Sequence, residues 1–142
     1  MIKIAFFDTK DYDKKVFDEH NKNYGYEIKY IEEKLCEKTA YMSKGYDVVC
    51  VFVNDIVDEK TINILKECGV KLIALRCAGF NNVDLKCLDE NIKAVRVPAY
   101  SPYAVAEHAS ALLLTLNRKT YKAYQRSKEY NFTLNGLLGF DI

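Results

Sequence analysis

Five short apolar runs, rich in β-branched and aromatic residues, recur through the first hundred residues of the chain. Because these runs are continuous rather than alternating, they are typical of strands buried on both faces of a parallel sheet. Charged segments with helical spacing lie between them; the clearest, residues 58–69, has acids in its first turn and a glycine at its end. This alternation predicts a doubly wound α/β sheet with right-handed crossovers. The predicted strands are 2–7, 26–31, 48–53, 72–75 and 92–97.

The pattern changes after residue 98, where a long helix is predicted to begin. Ser101 suits the N-cap of this helix, and Pro102 suits its first position. Apolar side chains occupy nearly all of its faces between residues 104 and 116, so we expect it to be buried in a core or against another subunit. A second helix, polar and basic, is predicted over 121–130. Residues 131–142 read as a loop that leads into a strand.

Composition and charge narrow the classes of function. The chain has 142 residues, 49% of them hydrophobic, and a formal net charge of +1. This balance argues against broad affinity for nucleic acid or an anionic membrane, and no apolar stretch reaches the roughly 20 residues of a membrane span. The five cysteines are odd in number and lack the paired spacing of disulfide frameworks or zinc sites. We therefore expect a cytoplasmic protein without a bound metal.

Ligands of an open parallel sheet bind beyond the carboxyl ends of its strands. The loop after the first predicted strand, residues 8–11, has no glycine-rich phosphate motif. After the fourth strand, Ala78 and Gly79 are small enough to let the backbone approach a ligand closely and to direct N–H groups at an anion. The alternative is a plain strand-to-helix turn, in which Asn82 or Asp84 caps the next short helix.

Two further side chains near these loops leave two interpretations open. Arg76 is either a structural arginine or a source of positive potential for a carboxylate. Tyr100, in the loop after the fifth strand, either presents its hydroxyl to a small polar ligand or packs at the rim of the site.

Four segments of the chain resemble the D-isomer-specific 2-hydroxyacid dehydrogenases, and among them the D-lactate dehydrogenases. The resemblance runs in order over the whole chain, but it covers only the amino-terminal part of these enzymes, which are more than twice as long. The four segments are IAFFDTK (4–10), DVVCVFVND (47–55), LIALRCAGFNNVD (72–84) and VRVPAYSPYAVAEH (95–108).

The resemblance implies a division of the chain into two parts. Residues 1–100 would form the flavodoxin-like, three-layer α/β/α substrate-binding domain, also called the catalytic domain. Residues 101–142 would form the hinge and the opening helices of an NAD-binding domain that is otherwise absent. Family members form homodimers largely through these helices, so the resemblance implies a homodimer through the helix at 102–118.

The resemblance also implies the residues that meet a small 2-oxo or 2-hydroxy acid. Cys77, Ala78 and Gly79 match the loop whose backbone N–H groups bind the substrate carboxylate. Phe52 matches a wall of the substrate pocket, and Tyr100 matches a residue beside the substrate near the nicotinamide. Pyruvate and bulkier 2-oxo acids both remain open as substrates.

The family's cofactor is NAD, and only Val105 of this chain matches a position that approaches it. The arginine that orients the 2-oxo acid, the acid/base histidine, its partner glutamate and the glycine-rich NAD motif all match no residue of this sequence. We therefore expect the chain to be the amino-terminal part of an NAD-dependent dehydrogenase. By itself it is expected to bind NAD at most weakly, to contribute no catalytic residue and to be inactive.

Two other classes of protein remain as alternatives. A receiver domain of two-component signalling shares the same shape, and Asp8, Asp11 and Asp55 are candidates for its acids; however, Arg76 and Val97 stand near the places of its conserved hydroxyl and lysine. The other alternative is a non-catalytic partner of a full-length dehydrogenase, which would associate through the apolar helix.

Overall fold

The first unit of the protein is built on a parallel sheet of five strands. The computed structural model describes all residues from Met1 to Ile142, which divide into Met1–Ala99 and Tyr100–Ile142. The strand order β2-β1-β3-β4-β5 is that of flavodoxin-like folds, so the predicted doubly wound sheet is confirmed. The strands are β1 (Lys3–Phe6), β2 (Glu27–Tyr30), β3 (Val48–Val51), β4 (Leu72–Leu75) and β5 (Lys93–Arg96).

The two faces of the sheet are covered by different helices. Residues of alternate parity along β1 point to opposite faces, so Phe7 faces the main core whereas Phe6 faces the helix α1 (Asp11–Asn21). The rings of Phe6 and Phe17 of α1 meet edge to face, with centroids 4.7 Å apart. The main core includes residues of the helix α2 (Glu59–Glu67). Its largest fully buried members are Phe7, Leu35, Val49, Val51, Val57, Ile62, Leu65, Ile73 and Ile92.

The helix α2 begins and ends as its sequence predicts. The carboxylate of Asp58 accepts a backbone N–H of the first turn at 2.9 Å and so caps the helix. At the other end Gly69 is left-handed, with φ +86°, and the N–H of Val70 donates to the carbonyl of Leu65 at 3.0 Å. This pattern closes the last turn and leads the chain directly into β4.

Burial of every strand on both faces was predicted, and this is wrong for the two edge strands. In β2 the side chains of Glu27 and Lys29 are exposed, and in β5 three of the four residues are exposed. The sheet order explains the difference, because β2 and β5 each have one neighbour only. The strands are also shorter than most of the predicted runs, because the apolar residues after β1, β3 and β5 belong to the loops that follow them.

The second unit consists of α3 (Pro102–Arg118), α4 (Thr120–Lys128) and a tail without regular structure. Pro102 lies in the first turn of α3 as predicted, although the side chain of Ser101 makes no capping hydrogen bond. Lys119 adopts the left-handed conformation between the two helices, with φ +52°. The predicted strand entry in residues 131–142 is not seen, because no neighbouring strand of this unit is available to pair with it.

The tail is held against the end of α3 by side chains. The amide of Asn117 donates to the carbonyl of Phe140 at 2.7 Å and accepts the N–H of the same residue at 3.0 Å. Lys119 donates to the carbonyl of Leu138 at 2.8 Å. Gly139 lies so close that an added Cβ would be 2.5 Å from the carbonyl oxygen of Asn117, which requires glycine here.

The helix α3 is not buried within this chain. None of its residues is buried, and Leu112, Leu113, Leu114 and Leu116 are each more than half exposed. The prediction that this helix is buried in a core of the chain is therefore wrong, whereas burial against another subunit stays a prediction. None of the helices combines the length and apolar character of a membrane-spanning segment.

Candidate functional site

A cleft of about 530 Å³ opens at the carboxyl end of the sheet, where a ligand of this fold class is expected. It is lined by residues of the loops that follow β1, β3, β4 and β5, together with residues of α1. Its volume falls within the range of small-molecule sites. The lining residues are Asp8, Lys10, Tyr12, Asp13, Phe17, Phe52, Asn54, Arg76 and Val97.

Arg76 is a structural residue of this cleft. Its guanidinium lies over the rings of Phe6 and Phe52, with the Cζ atom 4.5 Å and 4.9 Å from the two ring centroids. One nitrogen donates to the carbonyl of Asp8 at 2.8 Å and lies 3.8 Å from the carboxylate of Asp13. The side chain is only 10% exposed, and Nη1 is buried without a partner. Arg76 therefore fixes the wall formed by Phe52 and does not offer a free fork to a substrate.

The turn after β1 has an unusual backbone. Asp8 is left-handed, with φ +48°, and its buried carboxylate accepts a hydrogen bond from the ammonium of Lys10 at 2.8 Å. This hydrogen bond raises the pKa of Lys10. The charges are thus paired within the turn, and the glycines of a phosphate-binding loop are absent from it.

Asp55 organises the loop after β3. Its carboxylate, 1% exposed, accepts the backbone N–H groups of Leu35 at 2.6 Å and Phe52 at 2.5 Å. Burial raises the pKa of Asp55, and the two N–H donors act in the opposite direction. Asn82 adds a second brace, because its amide donates to the carbonyls of Phe52 at 2.9 Å and Asp55 at 3.0 Å. The position of Phe52 is therefore fixed from both sides.

The loop after β4 presents unpaired backbone donors. The N–H groups of Ala78, Gly79 and Phe80 donate to no acceptor in the chain, and the last two of these residues are exposed. An added Cβ at Gly79 would meet no atom within 4 Å, so the space beside it is open. Consecutive free N–H groups beside open space are available to an anion, and the predicted carboxylate site at residues 77–79 stays a prediction.

The carbonyls of this loop, by contrast, are engaged. Arg96 donates to the carbonyl of Ala78 at 2.9 Å, and the buried thiol of Cys77 donates to the carbonyl of Gly79 at 3.3 Å. Burial also raises the pKa of Cys77, so its thiol stays protonated at neutral pH and available as a donor. The plain-turn alternative holds for the end of the segment, where Asp84 caps the short 3-10 helix Leu85–Cys87.

Two of the predicted site residues lie in the second unit. Tyr100 and Val105 are exposed there, at 61% and 62%. Their roles beside the substrate and the cofactor stay predictions. In the first unit, Phe52 lines the cleft, and Cys77, Ala78 and Gly79 form the loop that follows Arg76.

Sequence reasoning missed the side chains that hold these loops. The sequence pattern indicates Asp55 only as a candidate acid of a receiver domain and Asn82 only as a helix cap, and it assigns no role to Arg96. The available signal was a polar residue at the end of a strand or in the loop that follows it, since such a side chain has loop carbonyls and N–H groups within reach.

The receiver-domain alternative fails on the geometry of its acids. No group of three or more His, Cys, Asp or Glu residues is arranged to hold a metal ion. Asp55, one of the candidate acids, is buried, and each of its carboxylate oxygens accepts a backbone N–H. Asp8 is paired with Lys10.

The fold and the loop define a class: a flavodoxin-like α/β domain whose loop after β4 carries main-chain N–H groups without an acceptor in the chain. Residues 4–134 match the family model described as the D-isomer specific 2-hydroxyacid dehydrogenase, catalytic domain. The chain belongs to this family. Neither the receiver domain nor the non-catalytic partner is favoured by the known proteins that it resembles.

Individual relatives agree with this assignment. The chain is 57% identical to 2-hydroxyacid dehydrogenase homolog 1 of Schizosaccharomyces pombe, over 99% of this chain and 43% of the relative. Its fold matches the apo structure of D-lactate dehydrogenase from Escherichia coli with a TM-score of 0.85 and 51% identity, over 98% of this chain and 44% of the other. The match to the NAD-complexed D-isomer specific 2-hydroxyacid dehydrogenase of Lactobacillus delbrueckii ssp. bulgaricus has a TM-score of 0.66 and 29% identity. It covers 92% of this chain and 40% of the other. The chain thus spans well under half the length of these relatives.

Proposed function

We propose that the chain is the substrate-binding part of an NAD-dependent D-2-hydroxyacid dehydrogenase that interconverts pyruvate and D-lactate. The observation that carries this proposal is that the consecutive N–H groups of Ala78, Gly79 and Phe80 are unpaired, with open space beside Gly79. Relatives named D-lactate dehydrogenase support the choice of reaction, and the small size of pyruvate suits a site made of backbone and one aromatic wall.

The first step in this proposal is capture of the substrate carboxylate. Backbone donors in a row bind a carboxylate through charge-assisted hydrogen bonds, without a charged side chain that would have to be desolvated. In agreement with this, both nearby arginines donate to backbone carbonyls. Phe52, held by Arg76 and Asp55, supplies the apolar wall for the methyl group of pyruvate.

The second step is reduction of the 2-oxo group, and for this the chain offers only orienting residues. In our proposal Tyr100 lies beside the substrate and Val105 approaches the cofactor. Nicotinamide cofactors supply a hydride, but the residues present do not fit NAD, since no strand of the sheet is followed by a glycine-rich turn that opens a helix. We therefore assign no catalytic residue to the 142 residues and expect no turnover from them alone.

The proposal also covers the oligomeric state of the protein and its cellular compartment. The exposed leucines of α3 form an apolar surface of the kind that is covered in an oligomer, and we assign it to a homodimer. All five cysteines are free, which suits the reducing cytoplasm.

The experiment that tests the proposed substrate is an NMR titration of the ¹⁵N-labelled chain. We expect pyruvate to cause saturable shifts of the amide signals of Ala78, Gly79 and Phe80, with a Kd of about millimolar for so small a ligand. Acetone, which has the same methyl ketone but no carboxylate, is the matched control and should leave these signals in place. Equal shifts with acetone, or none with pyruvate, would refute the assignment.

A further inference from the structure

Arg96 connects two segments of the candidate site from the end of β5. Its Nη1 atom donates to the carbonyl of Ala78 at 2.9 Å and to the carbonyl of Pro98 at 3.2 Å. Its Cζ atom lies 5.2 Å from the centroid of the Phe80 ring. The side chain thus contacts both ends of the loop that carries the free N–H groups, and also the backbone that follows β5.

These contacts determine where the free donors point. The chain has no cis peptide bond, and in a trans peptide the C=O and N–H groups point in opposite directions. A carbonyl of Ala78 that is directed at Arg96 therefore turns the N–H of Gly79 away from Arg96. In the same way, the thiol of Cys77 donates to the carbonyl of Gly79 and so turns the N–H of Phe80 away from the thiol.

The charge of Arg96 adds to this geometric effect. A cation at the carbonyl oxygen polarises the peptide group and strengthens its N–H as a donor to an anion. Arginine suits the position better than lysine, because its planar guanidinium bonds to backbone carbonyls and stacks on the Phe80 ring at the same time.

We propose that Arg96 is a positioning residue for substrate binding, which holds the Ala78–Gly79 peptide with its N–H directed at the carboxylate. This inference rests on the proposed function, in which that loop binds the carboxylate of a 2-oxo acid. It assigns to the substrate site a side chain that never touches the substrate.

The test compares Arg96→Ala with the parent chain by NMR titration with pyruvate. We expect the Kd for pyruvate to rise about fivefold, since the loop must then be ordered on binding. The ¹⁵N order parameters of the Ala78 and Gly79 amides in the ligand-free chain should fall. Thermal unfolding should change little, because the side chain is exposed.

Two further variants separate position from charge. Lys93→Ala removes one positive charge from the same strand, and its side chain makes no hydrogen bond or ion pair in the structure, so it should leave both readouts unchanged. Arg96→Lys keeps the positive charge but lacks the planar guanidinium, so it should recover only part of the affinity for pyruvate.

The two proposals fail in different ways. If the parent chain binds pyruvate at Gly79 and Arg96→Ala binds it equally well, the positioning role is wrong and the proposed function stands. If the parent chain does not bind pyruvate, the proposed function is wrong. The positioning role of Arg96 rests on that function and is then wrong as well, whatever the order parameters show.

Discussion

Replacing Gly79 by alanine separates substrate binding from folding. The φ of Gly79 lies outside the left-handed region, and an added Cβ meets no atom within 4 Å. The alanine variant is therefore expected to be as stable as the parent, with a gain of up to about 1 kcal/mol from its less flexible unfolded chain. The same methyl group occupies space beside the N–H of Gly79, where the proposed carboxylate binds.

The expected loss of affinity follows from the hydrogen bond that the methyl group disturbs. A hydrogen bond from a backbone N–H to a charged acceptor contributes about 1.5–3 kcal/mol. Loss of one such bond raises the Kd for pyruvate roughly tenfold to a hundredfold. The NMR titration that follows the amides of Ala78 and Phe80 measures this change, and thermal denaturation measures stability on the same sample.

Gly25 provides the matched control. An alanine there also meets no atom within 4 Å, but the φ of Gly25 is +68°. Gly25→Ala should therefore cost about 1 kcal/mol of stability and leave the Kd for pyruvate unchanged. If Gly79→Ala binds pyruvate as tightly as the parent chain, the carboxylate does not bind beside this N–H and the reasoning is refuted.

Three further predictions concern the scaffold and the assembly. Asp55→Ala leaves the buried N–H of Leu35 and the partly buried N–H of Phe52 unpaired and should lower the free energy of unfolding by about 2–4 kcal/mol in urea denaturation. The helix cap variant Asp58→Ala should cost only about 1 kcal/mol, and similar losses in the two variants would contradict the role of Asp55. Burial raises the pKa of Cys50 from 9.0 to about 12, so the unfolded chain releases the thiol proton at a lower pH than the folded chain. The free energy of unfolding should therefore fall between pH 9 and 12, by up to about 1.4 kcal/mol per pH unit. Cys50→Ala should flatten this pH dependence, and an unchanged slope would show that Cys50 is not its source. Leu113→Glu on α3 should abolish dimers in sedimentation velocity. Val16→Glu on α1, where the side chain has a similar exposure, should leave them intact. A dimer that persists in Leu113→Glu does not form through this part of α3.

The helices and strands could be predicted because their signals are local. The cap at Asp58 and the glycine stop at Gly69 lie within a few residues of the helix that they close, and each works by a contact over that distance. Burial depends on position in the sheet, which a single run does not encode. The apolar run around β5 therefore predicted a strand correctly and its burial wrongly, since only the order of all five strands makes β5 an edge.

Local sequence patterns predict even less of the candidate site. Small residues at Ala78 and Gly79 indicated a loop that a ligand approaches closely. The structure leaves open space beside Gly79, and the approach of a ligand stays a prediction. Whether its N–H groups are free depends on which acceptors lie nearby, and that is decided by the fold. The carbonyl of Ala78 is engaged by Arg96, a contact across 18 residues that no local pattern reports.

Most of the polar side chains at this edge of the sheet form hydrogen bonds with main-chain groups. Asp55 and Arg96 each bind main-chain groups of two different segments. Asn82 donates to two carbonyls of the loop after β3, and Arg76 donates to one carbonyl while stacking on Phe52. With their bonding capacity used in this way, these side chains leave the N–H groups of residues 78–80 without an acceptor in the chain. A main-chain site of this kind recognises the charge and size of a carboxylate and is indifferent to the rest of the ligand. In our proposal Phe52 supplies the apolar wall of the site, so we expect changes in its bulk to alter which 2-oxo acid binds without altering whether a carboxylate binds.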